Sequence, residues 1–97
     1  MNLMPDNQPS AEIEVVISNI QGLHARPAMR FVDVASRFGS SIRVRNADRE
    51  VDGKSPMEMM LLEAVQGTTI QIHAEGEDAA LAVQDLADLV KNKFGED

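Results

Sequence analysis

The chain has no cysteine, which excludes disulfide staples and thiol chemistry alike. Its two histidines, His24 and His73, are too few for an ordinary His/Cys zinc site, so neither a metal nor a cofactor is expected. Basic residues are scarce. Nine Lys and Arg stand against sixteen Asp and Glu, giving a net charge of −7 and a pI of about 4.7. A binder of phosphate backbones needs a basic footprint, so nucleic acid is excluded as a partner. A partner protein with a basic patch is not excluded. No apolar run approaches the roughly 20 residues that a membrane span requires, so no membrane insertion is expected. The opening "MNLMPDNQPS" has neither the basic region nor the apolar core of a secretory signal. Together these absences lead to the expectation of a soluble, cytoplasmic protein.

What is present is an ordinary globular balance, 43% hydrophobic and 26% charged residues. The 97 residues suffice for one domain with one core, and two domains would each be too small. Residues 1–11, which are polar and carry two prolines, are expected to be a mobile tail, residues 12–94 the domain, and residues 95–97 a short C-terminal tail.

Strand and helix periodicities alternate along the domain. "EIEVVIS" (Glu12 to Ser18) is β-branched and partly alternating, as a strand is. Ala28, Phe31, Val32 and Ala35 follow the i, i+3, i+4, i+7 spacing of a helix face, with Gly39 as the expected stop. "SSIRVRN" alternates Ile42 and Val44 with arginines, and "EVD" can pair back after a turn. Ser55 to Ala64 reads as a short helix and "TTIQIHAEG" as a strand, on which His73 faces out of the sheet. A last helix begins at Asp78, with acidic residues at its start and Lys91 and Lys93 near its end, as the helix dipole favours. The order β-α-β-β-α-β-α is most economically folded as an α+β domain. It would have one mainly antiparallel four-stranded sheet with three helices on a single face.

The chemistry concentrates in "GLHARPA", Gly22 to Ala28. Pro27 suits the first turn of a helix, where its missing N–H costs nothing, and this puts His24 at or beside the N-cap. A helix N-terminus attracts anions through unpaired amides and the positive end of the dipole, here the amides of Ala25 and Arg26. The Arg26 guanidinium adds a fork suited to phosphate oxygens. The same field disfavours a cationic ring and leaves a neutral, nucleophilic imidazole. Such an arrangement can hold a phosphoryl group on nitrogen without a metal. Attack is assigned to Nδ1, the nitrogen nearer the backbone.

"SPME" reads as a capping box, with Ser55 at the N-cap, Pro56 at N1 and Glu58 at N3. The helix it opens is apolar on too many sides. Met59 and Leu62 share one face and are assigned to the core. Met57 and Met60 share another and are assigned to a docking surface, which flexible thioethers suit.

"GLHARPA" closely resembles the active-site signature of the HPr family, the histidine phosphocarriers of the bacterial phosphoenolpyruvate phosphotransferase system. "GKSPMEMMLLEAVQG" resembles that family's second signature, and "TTIQIHAEGEDAALAV" its last strand and helix; the likeness spans about residues 12 to 93. The resemblance implies an open-faced β-sandwich with His24 as phosphoryl acceptor and Arg26 as phosphate-binding arginine. It implies charging by Enzyme I and delivery to an enzyme IIA, a stoichiometric carrier rather than an enzyme. A monomer is expected. It also makes Ser55 a candidate for regulatory phosphorylation by an HPr kinase/phosphorylase. The sequence departs from the family pattern at Gln21, where a small polar residue is usual, at Pro56, where an aliphatic is usual, and at Glu63, where glycine is common. "HARPAM" and the acidic "GED" also resemble NPr, the nitrogen-branch relative, which keeps a regulatory module as the alternative function.

Overall fold

A computed structural model describes residues 8–96. The chain forms β1 (Ser10–Val16), α1 (Ala25–Ala35), β2 (Ser41–Asn46), β3 (Arg49–Asp52), α2 (Pro56–Leu61), β4 (Thr69–Glu75) and α3 (Ala79–Lys91), closed by a 3-10 turn at Lys93–Gly95. The strands make one antiparallel sheet in the order β1-β4-β2-β3. Glu75 of β4 lies between Ser10 of β1 and Ser41 of β2, so β4 is paired on both sides. Among the described residues no helix is long and apolar enough to cross a membrane.

Alternation along the strands sends Val15, Ile42, Val44, Val51, Ile70, Ile72 and Ala74 to one face, all buried. Phe31, Met59, Leu86 and Val90 from the helices close over them with no exposed surface. The other face carries Glu12, Glu14, Arg43, Arg45, Glu50, Gln71 and His73, as an antiparallel sheet with one wet face should. His73 is on that face, between Glu12 at 3.3 Å and Glu75 at 3.2 Å.

Several boundaries differ from the sequence expectation. β1 begins at Ser10, inside the stretch assigned to the tail, because Ser10 and Ala11 still find partners in Glu75 and Ala74. Residues 1–7 of that tail, and Asp97, lie outside the described residues. α1 stops at Ala35 rather than running to Gly39. The Arg37 amide reaches only back to the Val34 carbonyl, a tighter bond than the α-helix makes, and Gly39 instead gives its N–H to the Asp78 carboxylate. The C-terminal residues 95–97 were expected to be a free tail, yet Gly95 closes the 3-10 turn and Glu96 is hydrogen-bonded to the body of the domain.

α2 is also shorter than expected. Ser55 is its N-cap, its Oγ accepting the Glu58 N–H at 3.2 Å. The box is not reciprocal. Glu58 accepts the Asp52 N–H at 2.9 Å, and the Ser55 N–H goes to the Asp52 carbonyl at 3.1 Å. At the other end Glu63 takes the left-handed conformation (φ 55°) just after the C-cap Leu62. A glycine would hold that conformation without the roughly 1–2 kcal/mol it costs an L-residue. Arg49 offsets part of this by donating to the Leu61 carbonyl at 2.6 Å and to Glu63 Oε1 at 3.0 Å. The division of the methionines is as expected: Met59 and Leu62 are buried, whereas Met57 is 76% and Met60 48% exposed.

Asp78 ties the start of α3 to the loop before β2. Its carboxylate accepts the Ser40 hydroxyl, the Gly39 N–H at 2.9 Å and the Ser40 N–H at 3.0 Å. The Ser40 hydroxyl above all, then the Gly39 amide, holds the Asp78 carboxyl below the usual carboxylate range. The folded state therefore favours the carboxylate more than the unfolded chain does. That stability is present above the ordinary carboxylate titration and is lost as pH falls through the lowered folded value. Asp78→Asn is expected to lower the melting temperature at neutral pH, with the gap to the wild-type chain narrowing below about pH 4. Thermal melts across that range check this, and a gap of constant size would count against the assignment.

Candidate functional site

The site begins with a close approach that only glycine permits. Gly22 has φ +69°, and a Cβ there would sit 2.7 Å from the Ala64 carbonyl oxygen and 2.9 Å from the Val65 Cα. The turn is closed by the Gly22 N–H to the Asn19 carbonyl at 3.1 Å, and the next amide, Leu23 N–H, bonds the Ala64 carbonyl at 2.8 Å. Leu23 is buried in the core. The chain leaves this anchor in extended conformation at His24 (φ −87°, ψ −167°) and enters α1 at Ala25. Pro27 and Ala28 are buried and hold that first turn against the domain.

His24 is the N-cap, as the position of Pro27 implied, but its side chain makes no cap hydrogen bond. The Ala25 and Arg26 amides precede the first intrahelical bond, Ala28 N–H to the His24 carbonyl at 3.0 Å, and so remain available to an anion. Among the described residues the exposed Arg26 side chain makes no hydrogen bond or ion pair, and neither does His24 Nδ1. Ile20, Gln21, His24, Arg26, Arg30, Gly95 and Glu96 line one open cleft of about 480 Å³. Imidazole and guanidinium thus share one open cleft at the start of α1.

Three contributors were not found from the sequence. Glu96 lies 3.2 Å through Oε2 and 3.4 Å through Oε1 from His24 Nε2. Asn19, fully buried, donates from Nδ2 to the Gly22 carbonyl at 2.7 Å and to Glu96 Oε1 at 3.2 Å. Arg30 donates to the Phe94 carbonyl and so holds the chain end against α1. No local pattern signals the contacts with Glu96 and Phe94, because those partners are 64 to 77 residues apart.

Ser55 and the two exposed methionines belong to α2, which packs beside α1. The apolar exposure is wider than the two positions singled out. Ile20 at the cleft, Met29 on α1, Leu61 on α2 and Val65, whose backbone lies under Gly22, are each about half or more exposed.

The family model described as the PTS HPr component phosphorylation site matches residues 11–92. The phosphocarrier protein HPr of Pseudomonas aeruginosa is 46% identical over 85 residues, covering 87% of this chain and 94% of that protein. The HPr of Xylella fastidiosa is 43% identical over 86 residues, covering 89% of this chain and 97% of its own length. Among solved structures, HPr-C-His from Thermoanaerobacter tengcongensis superposes with a TM-score of 0.86 at 44% identity, covering 90% of this chain and 98% of that one. Sheet order, the imidazole at the start of α1 and these likenesses lead to one conclusion: the chain belongs to the HPr family of phosphocarrier proteins of the phosphotransferase system.

Proposed function

We propose that His24 is the phosphoryl acceptor of this carrier, charged by phospho-Enzyme I and discharged to an enzyme IIA. The protein acts stoichiometrically, as a monomer in the cytoplasm, without turning over a substrate of its own. One observation carries the reading. Among the described residues His24 caps α1 with Nδ1 unengaged, the Ala25 and Arg26 amides beside it unpaired and the Arg26 guanidinium without a partner. Nδ1 attacks phosphorus, and the amides and Arg26 take up the charge on the phosphoryl oxygens. Light scattering and cell fractionation read the assembly state and location directly.

Incubation with Enzyme I and phosphoenolpyruvate is expected to add one phosphoryl group to the intact chain. His24→Ala should take up none. Arg26→Ala should fold normally but charge more slowly, with roughly 2–4 kcal/mol lost at the transition state. Intact mass, transfer kinetics and melting on the same proteins check all three. A phosphoryl group on a hydroxyl with His24 unmodified would remove the basis of the reading.

Met57 and Met60 are proposed to be buried by Enzyme I. Their exposure on α2 leaves apolar surface that partner contact would cover. Replacing both by Ser should weaken Enzyme I binding while stability stays nearly unchanged. A loss of the roughly 2–5 kcal/mol typical of core truncation would mean that they are core residues.

Ser55 is proposed as a regulatory phosphorylation site for an HPr kinase/phosphorylase. A phosphate at this N-cap meets the favourable end of the helix dipole, so the fold should tolerate it. Its roughly two negative charges would appear next to Met57, where a partner must bury apolar surface. Stoichiometric Ser55 phosphorylation should therefore reduce the apparent affinity for Enzyme I more than the rate at saturation. Steady-state charging over a range of Enzyme I concentrations distinguishes the two, and an unchanged curve would leave Ser55 as a helix cap alone.

A further inference from the structure

The contact between Glu96 and His24 is built rather than incidental. After α3 the chain takes three successive left-handed residues, Lys93 (φ 58°), Phe94 (φ 57°) and Gly95 (φ 78°). Two of these are not glycine, and each such residue is held there against its own preference. Phe94 is fully buried, and Arg30 of α1 donates to its carbonyl. These anchors turn the chain back across the start of α1 and deliver Glu96 to the cleft, where its side chain is 18% exposed. Asn19 then fixes the carboxylate through Oε1. Its own Oδ1 is buried without a hydrogen-bond partner among the described residues, so the amide is oriented at a cost.

We propose, building on His24 as the acceptor, that Glu96 is a positioning residue that keeps the ring proton on Nε2 and so reserves the Nδ1 lone pair for phosphorus. A carboxylate can only accept, so a ring nitrogen 3.2 Å from it must be the one bearing hydrogen. In charging, the Nδ1 pair forms the N–P bond while the bond from phosphorus to the donor breaks and its electron pair leaves with the donor. The Nε2 proton stays on the ring, positive charge spreads over the imidazole, and Glu96 lies in place to balance it. In discharge the N–P bond breaks and its pair returns to Nδ1. A ring that has kept its Nε2 proton leaves as neutral imidazole, a far better leaving group than imidazolide.

Simple electrostatics argues the opposite sign. Arg26 and Arg30 also line the cleft and attract an incoming phosphoryl group, whereas Glu96 repels it. If repulsion dominated, neutralising Glu96 would speed charging. If tautomer control dominates, neutralising it slows charging, and replacing it by a pure donor slows charging further.

The test uses the full chain, isotopically labelled at histidine, as wild type, Glu96→Gln and Glu96→Lys. Ring nitrogen shifts are read by NMR at a pH where the imidazole is neutral, and charging by Enzyme I and phosphoenolpyruvate is timed on the same samples. The wild-type chain should show a proton-bearing Nε2 and a bare Nδ1. Glu96→Gln should move the two shifts toward each other and slow charging about tenfold, the scale seen when an orienting partner of a histidine is lost. Glu96→Lys should move them further and charge more slowly still, with melting temperatures close to wild type. Unchanged ring shifts in both variants, or charging as fast as wild type or faster, would overturn the proposal. A wild-type chain that Enzyme I does not charge would defeat the phosphocarrier reading instead, and the ring shifts would still decide what Glu96 does.

Discussion

The site depends on the clamp between two loops at one end of the sheet. The Leu23 N–H bonds the Ala64 carbonyl at 2.8 Å, and Gly67 N–H bonds the Ile17 carbonyl at 2.7 Å, with the Ile17 N–H returning to Thr68 at 2.9 Å. The loops meet so closely that Gly22 has no room for a Cβ. From this contact follow the direction in which α1 starts, the burial of Leu23 and Pro27, and the extended conformation of His24. Backbone geometry, rather than any side-chain hydrogen bond from the imidazole, leaves the first amides of α1 uncovered.

Charge is distributed against the molecule's average. The chain carries a net −7, yet Arg26 and Arg30 line the cleft beside free helix amides. Glu12, Glu14, Glu50 and Glu75 are on strands whose outer face is turned to water, where Arg43 pairs with Glu50 at 3.1 Å and His73 sits between Glu12 and Glu75. Exposed pairs of this kind contribute little to stability. They keep that face mostly polar, Val16 apart, whereas exposed apolar side chains gather on α1, α2 and their neighbouring loops.

Those parts of the molecule that depend on short-range pattern were legible in the sequence. Alternation gave away the buried faces of β2 and β4, the 3-4 spacing the buried face of α1, and Pro27 the placing of His24 at a helix start. The two faces of α2 separated as side-chain spacing required, with Met59 and Leu62 inside. The failures trace to competing partners. Gly39 resembled a helix stop because glycine often is one, but the helix ended where Arg37 took a 3-10 bond and Gly39 served Asp78 instead. Glu58 looked reciprocal to Ser55, but it accepts the Asp52 amide while the Ser55 amide bonds the Asp52 carbonyl. Glu96 was assigned to the tail and Asn19 drew no assignment, because the contact between them lies across the fold. Contacts made across the fold, 39 residues to Asp78 and 77 to Glu96, leave no periodicity for a local reading to find.

Strand order has a consequence for the sequence of events in folding. The β2–β3 hairpin can close as soon as its own residues exist, since Arg43 pairs with Asp52. Among the described residues β1 pairs only with β4, and β4 also supplies the second partner of β2. During synthesis β1 therefore emerges first and waits, unpaired, until residues 69–75 have left the ribosome. Closing that long loop is the step whose entropy must be met before most of the sheet exists. The last strand to be made is the one that turns a hairpin and a stray segment into a single sheet, and the two loops that carry the clamp beneath His24 are brought together by that same event.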